Sequence, residues 1–344
     1  MLSRSLSSLM DDPVESEKGK LDNMRTRVPT VIALVFVLMA VSSVALAITW
    51  GEEDLTGAYP NVASVRGVDE TDNSARFSCS GSLLHADEDK VVLLTAAHCT
   101  DGWIGQIAAG NLDSVGVSFD QNNVIAGSFS DATYYVRGGV PISFPAKDAP
   151  FEKFDYGLVV FPEDATNTVG ETIADRWGGL TPVQLPADET YLPDLIEANQ
   201  TSRDALAFTA VGYGTGEKFP IPSEETGPAN PAGSNLDTFP IRLIADNLTY
   251  DAHNPVNDVL RLSMNIAKGE NGTCNGDSGG PIFYEDAALG RVQVSLVSGG
   301  DAPCRATNTG PGFSLPVVFD FVGCAEVPGD ASAVVACVAD IFST

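Results

Sequence analysis

The sequence has little positive charge. Its 344 residues include 19 lysines and arginines against 46 aspartates and glutamates, which gives a formal net charge of −27. Residues 1–47 carry five acids and five bases, so the excess negative charge belongs wholly to the rest of the chain. A strongly acidic surface favours solubility and repels nucleic acid and anionic lipid. We therefore expect no nucleic-acid partner.

Histidine is also scarce, and no internal repeat of fixed period is visible. The three histidines, His85, His98 and His253, lie far apart in the chain. No group of histidines, cysteines and carboxylates has the spacing of a metal site. The sequence therefore predicts no metal centre.

Residues 1–47 have the order of a secretory signal, in which a positive start, an apolar middle and a small-residue cleavage site follow one another. Arg25 and Arg27 precede an apolar run at 31–41, and "ALA" at 45–47 forms the small-residue site. This order predicts export of the rest of the chain.

The extent of the signal leaves two points open. A start at Met24 would give a signal of ordinary length, which makes residues 1–23 an over-extended start. Cleavage after Ala47 would release a secreted protein. The alternative is an uncleaved anchor, since 28–48 is long enough to span a bilayer and would hold the remaining domain outside the cell.

Six cysteines in an exported chain indicate three disulfides, although the sequence alone leaves 15 pairings open. Residues 48–344 are numerous enough for a sizeable core, either in one unit or in two small packed domains.

Short apolar or alternating runs separated by Gly, Pro, Asn and Asp dominate the chain after residue 60. Many short strands between turn residues are typical of an all-β sandwich or barrel. The runs lie at 62–66, 76–84, 91–97, 115–119, 157–161, 206–213, 239–244, 259–265, 292–298 and 312–318.

One clear helix is predicted near the end of the chain. Val334, Val338 and Ile341 belong to an apolar stripe at helical period, and Asp330 or Ser332 is placed to cap its start.

Two stretches, 137–153 and 215–238, read as long exposed loops; the second is rich in Pro, Gly and Ser. The segment around 185–205 is the expected connection between two halves of the domain.

The string "GDSGGP" at 276–281 surrounds Ser278 with glycines and ends in a proline. A nucleophilic serine needs a tight backbone without side chains, because substrate must approach closely and successive N–H groups must point at one spot. The string therefore marks Ser278 as a candidate nucleophile.

This string resembles the active-serine motif of the chymotrypsin/trypsin family of serine endopeptidases. The resemblance requires a histidine and then an aspartate earlier in the chain. The segment "TAAHC" at 95–99 holds His98, and "KFDYGLVVF" at 153–161 places Asp155 at the head of an apolar strand. Both segments are similar to the family's motifs, and their order fits.

The resemblance implies a role for each residue. Ser278 attacks the scissile carbonyl, His98 takes and returns the proton, and Asp155 orients the imidazole and stabilises its positive form. The N–H groups of Gly276 and Ser278 form the oxyanion hole.

In this family the mature N-terminus is an apolar Ile or Val whose ammonium pairs with the aspartate before the serine. The resemblance assigns these roles to Ile48 and Asp277. The segment "ITWG" at 48–51 departs from the family's Ile-Val-Gly-Gly at two positions. We expect signal cleavage itself to free the activating terminus, without a zymogen stage; the alternative is that Ile48 begins a propeptide.

The resemblance also implies two disulfides, Cys79–Cys99 and Cys274–Cys304. It leaves Cys324 to pair with Cys337, a bridge that is not general in the family.

Alignment on Ser278 places the base of the primary pocket at Gly272 and its walls at Gly300 and Gly312, and matches Ser298 to a serine that supports the catalytic aspartate. No acid lies at the base. The resemblance therefore favours a large apolar or aromatic residue before the cleaved bond, although nearby Asp301 is able to favour a cation.

The resemblance covers nearly all of 48–344. It implies an all-β fold of two six-stranded antiparallel barrels, 48–185 and 186–344, with a C-terminal α-helix in the second part. It further implies protein or peptide substrates, no cofactor and a monomer that meets membrane only if the signal is uncleaved. The alternatives are an inactive binding protein on a protease fold and an esterase with the same triad.

Overall fold

A computed structural model describes most of the chain after residue 50. The described residues are 51–123, 131–145, 153–214, 216–217, 236–237, 241–301, 304 and 306–343. The predicted signal at 1–47 and the predicted terminus Ile48 lie outside them. Within these residues no helix is both long and apolar enough to cross a membrane.

The described part of the chain is mostly β-strand, as predicted. The strands are β1 (Glu52–Glu53), β2 (Val62–Asp69), β3 (Ser74–Ala86), β4 (Lys90–Thr95), β5 (Ser114–Ser118), β6 (Val136–Ser143), β7 (Gly157–Pro162), β8 (Ala207–Gly212), β9 (Gly216–Glu217), β10 (Leu236–Asp237), β11 (Leu243–Asn254), β12 (Val259–Ser263), β13 (Pro281–Asp286), β14 (Gly290–Leu296), β15 (Gly299–Gly300) and β16 (Thr307–Pro311).

Helices are short and few among these residues. They are α1 (Ala97–Ala108), α2 (Ile173–Trp177), α3 (Tyr191–Ala198), α4 (Pro316–Gly323) and α5 (Ala331–Ile341), with 3₁₀ turns at Arg203–Ala205, Ile266–Lys268 and Cys324–Glu326.

The first half of the protein is a closed antiparallel barrel in the order β2-β3-β4-β7-β6-β5. Apolar, mostly β-branched side chains suit a pleated buried surface, and Val65, Leu93, Val117 and Val159 are fully buried in one core. Closure of the sheet removes its free edges. The barrel thereby gives a rigid support to the segments that leave its strand ends.

The second half is a larger antiparallel sheet in the order β14-β13-β8-β11-β12-β16-β15, with β1 paired to β11. Phe208, Leu243, Leu260 and Ile282 are buried in its core. With the short strands β1 and β15 it has eight strands rather than the predicted six. The all-β fold prediction is confirmed, and the strand count of the second half is corrected.

Two local predictions were wrong. The first part of the predicted loop 137–153 is strand β6, which pairs with β5 and β7; its two glycines and one proline hide the apolar alternation. The predicted strand 312–318 instead runs into α4, which begins at Pro316, where the fixed φ of proline suits a first helical position. Most of the predicted loop 215–238 lies outside the described residues, although β9 and β10 pair within it.

The predicted C-terminal helix is confirmed as α5. The side chain of Asp330 accepts a hydrogen bond from the Ser332 amide and caps the helix start. All three predicted disulfides are present. The bridge from Cys324 to Cys337 joins the end of α4 to α5.

Candidate active site

His98 lies in the first turn of α1, directly beyond the end of β4. Strand register pairs Thr95 of β4 with Gly157 of β7, so the residues that follow β4 and those that precede β7 leave the barrel at the same end. Asp155 is one of the latter. The barrel thus brings two residues 57 positions apart into contact.

Asp155 holds His98 by two hydrogen bonds. The His98 backbone N–H donates to Asp155 Oδ1 at 2.8 Å, and His98 Nδ1 lies 2.7 Å from Asp155 Oδ2. A carboxylate only accepts hydrogen bonds, so Nδ1 carries the proton. The neutral ring is left with Nε2 as an acceptor, which is the form a general base requires.

Asp155 is buried, and a third group holds it. The Ser298 hydroxyl donates to Asp155 Oδ2 at 2.6 Å. Burial by itself raises the pKa of Asp155, but the hydrogen bonds and charge of His98, together with the bond from Ser298, outweigh it and hold the pKa below its usual value. The carboxylate is therefore ionised at neutral pH and able to stabilise a charged imidazole.

The backbone just before Asp155 is strained. Phe154 has a φ of 61°, a left-handed conformation that is an outlier for a bulky residue and costs about 1–3 kcal/mol. Its ring stacks on Phe144 with centroids 5.0 Å apart, and Phe144 also packs against Phe321 of α4 and Phe342 beyond α5. The C-terminal helices thus help to hold the segment that carries Asp155.

Ser278 lies on a turn that packs directly on the segment before His98. The Ser278 carbonyl accepts from Ser80 N–H at 2.8 Å. Gly279 has a φ of 80°, and a Cβ there would meet the Thr95 side chain and Ala96 N. Only glycine fits this approach, which brings the Ser278 turn against the His98 loop. No hydrogen bond joins the Ser278 hydroxyl to His98 among the described residues.

The predicted oxyanion-hole residues flank the same turn. Gly276 has a φ of 96°, and its carbonyl accepts from Ser80 Oγ at 3.0 Å. The N–H groups of Asp277 and Gly279 are used within the protein. In the part of the chain that the structure describes, the N–H groups of Gly276 and Ser278 have no acceptor, so both are available to a ligand.

Asp277 is fully buried beneath the turn. Its carboxylate accepts from Gly214 N–H at 2.8 Å and from Cys274 N–H at 2.9 Å. Burial outweighs these two bonds and raises the pKa of Asp277 to about 7. No cationic group pairs with it within the described ranges, and the predicted partner Ile48 lies outside them.

A pocket of about 220 Å³ opens beside Ser278. Its lining comprises Thr273, Cys274, Asn275, Ser278, Val297, Ser298, Gly299, Gly300, Asp301 and Cys304. The disulfide between Cys274 and Cys304 ties the segment before Ser278 to the segment after Ser298. The pocket thus adjoins the candidate nucleophile, as a primary substrate pocket would.

Two of the four predicted pocket residues line this pocket, and two do not. Ser298 and Gly300 line it. Gly272 is buried but not in the lining, and Gly312 lies against Asp258 and Leu192.

Strand register identifies a buried residue that lies behind the pocket lining. Gly300 pairs with Asn308 in β16, and Asn308 Nδ2 donates to Thr273 Oγ1 at 2.6 Å. The sequence analysis missed both Asn308 and Thr273. Pairing of β15 with β16 is the signal that finds Asn308.

The described residues hold one group with metal-ligating atoms close together, Cys79, His98 and Cys99, whose ligand atoms lie within 4.8 Å. The two sulfurs are bonded to each other, so the group does not offer thiolate ligands.

The chain is similar in sequence to one protein family and to a known peptidase. The family model for Trypsin matches residues 236–322. Kallikrein 1-related peptidase b27 of Mus musculus is 25% identical over 257 residues, covering 72% of this chain and 79% of that protein.

Solved structures are also similar. The HL collagenase structure is 18% identical with a TM-score of 0.46, covering 79% of this chain and 95% of that one. The thermostable serine protease AL20 from an extremophilic microorganism is 17% identical with a TM-score of 0.43, covering 74% and 92%.

Proposed function

We propose that the chain is a serine endopeptidase of the chymotrypsin/trypsin-like family and that Ser278, His98 and Asp155 carry out its peptide-bond hydrolysis. The observation that carries this proposal is the buried Asp155 carboxylate, which accepts from His98 Nδ1 at 2.7 Å beside a pocket lined by Ser278.

The proposed reaction begins when Ser278 Oγ attacks the scissile carbonyl while His98 Nε2 accepts its proton. His98 then protonates the leaving amine, and a water activated by the same nitrogen hydrolyses the acyl-enzyme. Asp155 stabilises the imidazolium in both steps. The serine–histidine contact is one that often forms fully only when substrate binds.

The Gly276 and Ser278 N–H groups are the proposed donors to the developing oxyanion. Both lack acceptors among the residues that the structure describes, and their neighbours Asp277 and Gly279 are already paired. Loss of one such donor raises the activation free energy by about 3–4 kcal/mol.

Asp277 is the proposed partner of the ammonium at Ile48. A fully buried carboxylate is costly to ionise unless a cation is near, and burial raises the pKa of Asp277 to about 7. Signal cleavage after Ala47 would supply that cation without a zymogen stage. The mature protease domain is then 48–344, a secreted monomer that acts on proteins or peptides.

The proposed preference is for a large apolar or aromatic residue before the cleaved bond. Asp301 is the acid in the described pocket lining, but its Oδ1 accepts from Ala306 and Thr307 N–H at 2.8 and 2.7 Å. This oxygen therefore holds the backbone at the start of β16. The lining residue Thr273 is held by an uncharged partner, Asn308.

Cleavage-site profiling on a denatured proteome tests the activity and the preference together, with Ser278→Ala as the matched control. We expect new peptide ends that follow large apolar or aromatic residues and that vanish in the control. Cuts chiefly after Arg or Lys would refute the preference. Hydrolysis of esters but not peptides would favour an esterase, and no hydrolysis of either would favour an inactive binding protein.

A further inference from the structure

A buried ion pair joins the start of the described chain to the C-terminal sheet. Arg242 Nε lies 2.8 Å from Asp54 Oδ2, and Asp54 and Arg242 are 1% and 2% exposed. The Asp54 N–H also donates to the Arg242 carbonyl at 3.0 Å, which continues the pairing of β1 with β11. The chain is therefore fixed at Asp54, six residues after Ile48.

The Asp54 carboxylate also shapes the segment that follows it. It accepts from the N–H groups of Ala58 at 2.6 Å and Tyr59 at 3.1 Å. These two contacts order the segment that follows Asp54.

Arg242 extends the contact toward both halves of the molecule. Its Nη1 donates to the Phe119 carbonyl at 3.1 Å, to the Tyr213 hydroxyl at 3.2 Å and to the Val62 carbonyl at 3.4 Å. The guanidinium fork suits such a junction because its donors are fixed in one plane.

One chain of hydrogen bonds leads from Tyr213 to Gly276, and the peptide bond to Gly214 leads to Asp277. The Tyr213 N–H donates to Ser80 Oγ at 2.8 Å, and Ser80 Oγ donates to the Gly276 carbonyl at 3.0 Å. The next residue, Gly214, donates its N–H to Asp277 at 2.8 Å. Arg242 therefore connects the N-terminal segment to both Gly276 and Asp277.

We propose that Asp54 and Arg242 form a latch that positions the mature N-terminus for Asp277 and holds the Gly276 peptide in place. The proposal rests on the proposed function, in which the Ile48 ammonium pairs with Asp277. Neither residue of the latch touches substrate, so both are positioning residues.

Chain length explains why a latch at this point is effective. The four peptide steps from Ile48 to Glu52 span at most about 14 Å. Whatever holds 52–54 therefore confines the terminus to a small volume near its fixed end. Without the latch the terminus samples a wider space, and the fraction of molecules with a paired Asp277 falls.

An effect of this ion pair on the active site can be distinguished from an effect on folding stability. A buried ion pair can often be replaced by apolar groups without loss of stability. If this one acts on the active site, its loss must show in catalysis and in the exposure of the terminus, beyond any change in unfolding.

Purified mature protein with Arg242→Met or Asp54→Asn tests the latch. One measurement is the kcat and KM on a peptide substrate. The other is the rate at which acetic anhydride modifies the Ile48 α-amine of the folded protein, followed by mass spectrometry. Lys90→Met is the matched control, because Lys90 is also a fully buried cation, bonded to the Val327 carbonyl at 2.6 Å, but has no contact with the N-terminal segment.

We expect both latch variants to show a kcat lower by about tenfold or more, with KM changed less, and an α-amine modified faster by a similar factor. Lys90→Met changes neither by more than about twofold. A latch variant with wild-type kcat and a shielded α-amine overturns the proposal. If Arg242→Met does not fold, Asp54→Asn decides, since the amide keeps the shape of the carboxylate.

A further variant separates the latch from the activation pair. Asp277→Asn should abolish activity if the pair is correct, whatever the latch does. If Asp277→Asn remains active, the activation pair is wrong, and the α-amine measurement still reports whether the latch positions the terminus.

Discussion

Asp277 should make the stability of the protein depend on pH in a way that tests its proposed pairing with the Ile48 ammonium. Without an ammonium beside it, burial raises the pKa of Asp277 to about 7 from the 3.8 of an exposed aspartate. In the folded state the group then keeps its proton between these two pH values, while the unfolded state loses it. The free energy of unfolding therefore falls as pH rises through this window.

The magnitude follows from the width of the window. Each pKa unit corresponds to 1.36 kcal/mol. A rise in pKa of about three therefore lowers the free energy of unfolding at pH 8 by about 4 kcal/mol relative to pH 4. The cost applies to a form that starts at Ala45, in which Ile48 has no free ammonium. In the mature form the proposed pairing with the ammonium would stabilise the charged carboxylate, and the cost should largely vanish.

Chemical unfolding at pH 4 to 8 measures this cost if each form is compared with its own Asp277→Asn variant, because the comparison cancels the other titrating groups. In the form that starts at Ala45, the free energy of unfolding of the variant should rise by about 4 kcal/mol relative to that of the parent as pH rises from 4 to 8. In the mature form the free energy of unfolding of the variant should not rise relative to that of the parent. Equal pH dependence of parent and variant in the blocked form would refute the reasoning.

Three other changes have distinct expected outcomes. Asp155→Asn should lower kcat about ten-thousand-fold with little change in KM, because an amide group can turn the imidazole to the wrong tautomer; steady-state kinetics measures this, and a loss under tenfold would contradict it. Replacement of Cys324 and Cys337 by serine removes a disulfide bond with a sequence separation of 13. It should lower the free energy of unfolding by about 3 kcal/mol while kcat stays within twofold. A large loss of kcat would show that this disulfide supports the site directly. Gly279→Ala should destabilise the fold by at least about 2 kcal/mol more than Gly290→Ala. Both positions have positive φ, but a Cβ clashes only at Gly279. Equal unfolding midpoints for the two variants would count against the tight packing of the serine turn.

The candidate catalytic residues could be identified from the sequence because each lies in a short segment whose local backbone the chemistry restricts. The glycines around Ser278 are needed for close packing, as Gly279 against the His98 loop shows. Asp155 could be chosen among 46 acids because it stands at the head of a buried strand. The barrel register then brings it to His98.

Features that depend on pairing between distant segments could not be predicted. The position of Asn308 beside Gly300 follows from the register of β15 with β16, which neither local segment reveals. Strand β6 was missed because Gly138, Gly139 and Pro141 interrupt its apolar pattern. The Asp54–Arg242 contact joins residues 188 positions apart, and nothing in either local segment distinguishes them from other charged residues.

The central claim is that Ser278, His98 and Asp155 act as one catalytic unit at the edge of the pocket. A crystal structure of the mature protein after reaction with a peptidyl phosphonate tests it most directly. The account predicts phosphorus bonded to Ser278 Oγ, a phosphoryl oxygen that accepts from the Gly276 and Ser278 N–H groups, and His98 Nε2 within hydrogen-bond distance of the adduct while Nδ1 remains on Asp155. An unmodified Ser278, or an adduct that the imidazole does not reach, would contradict it.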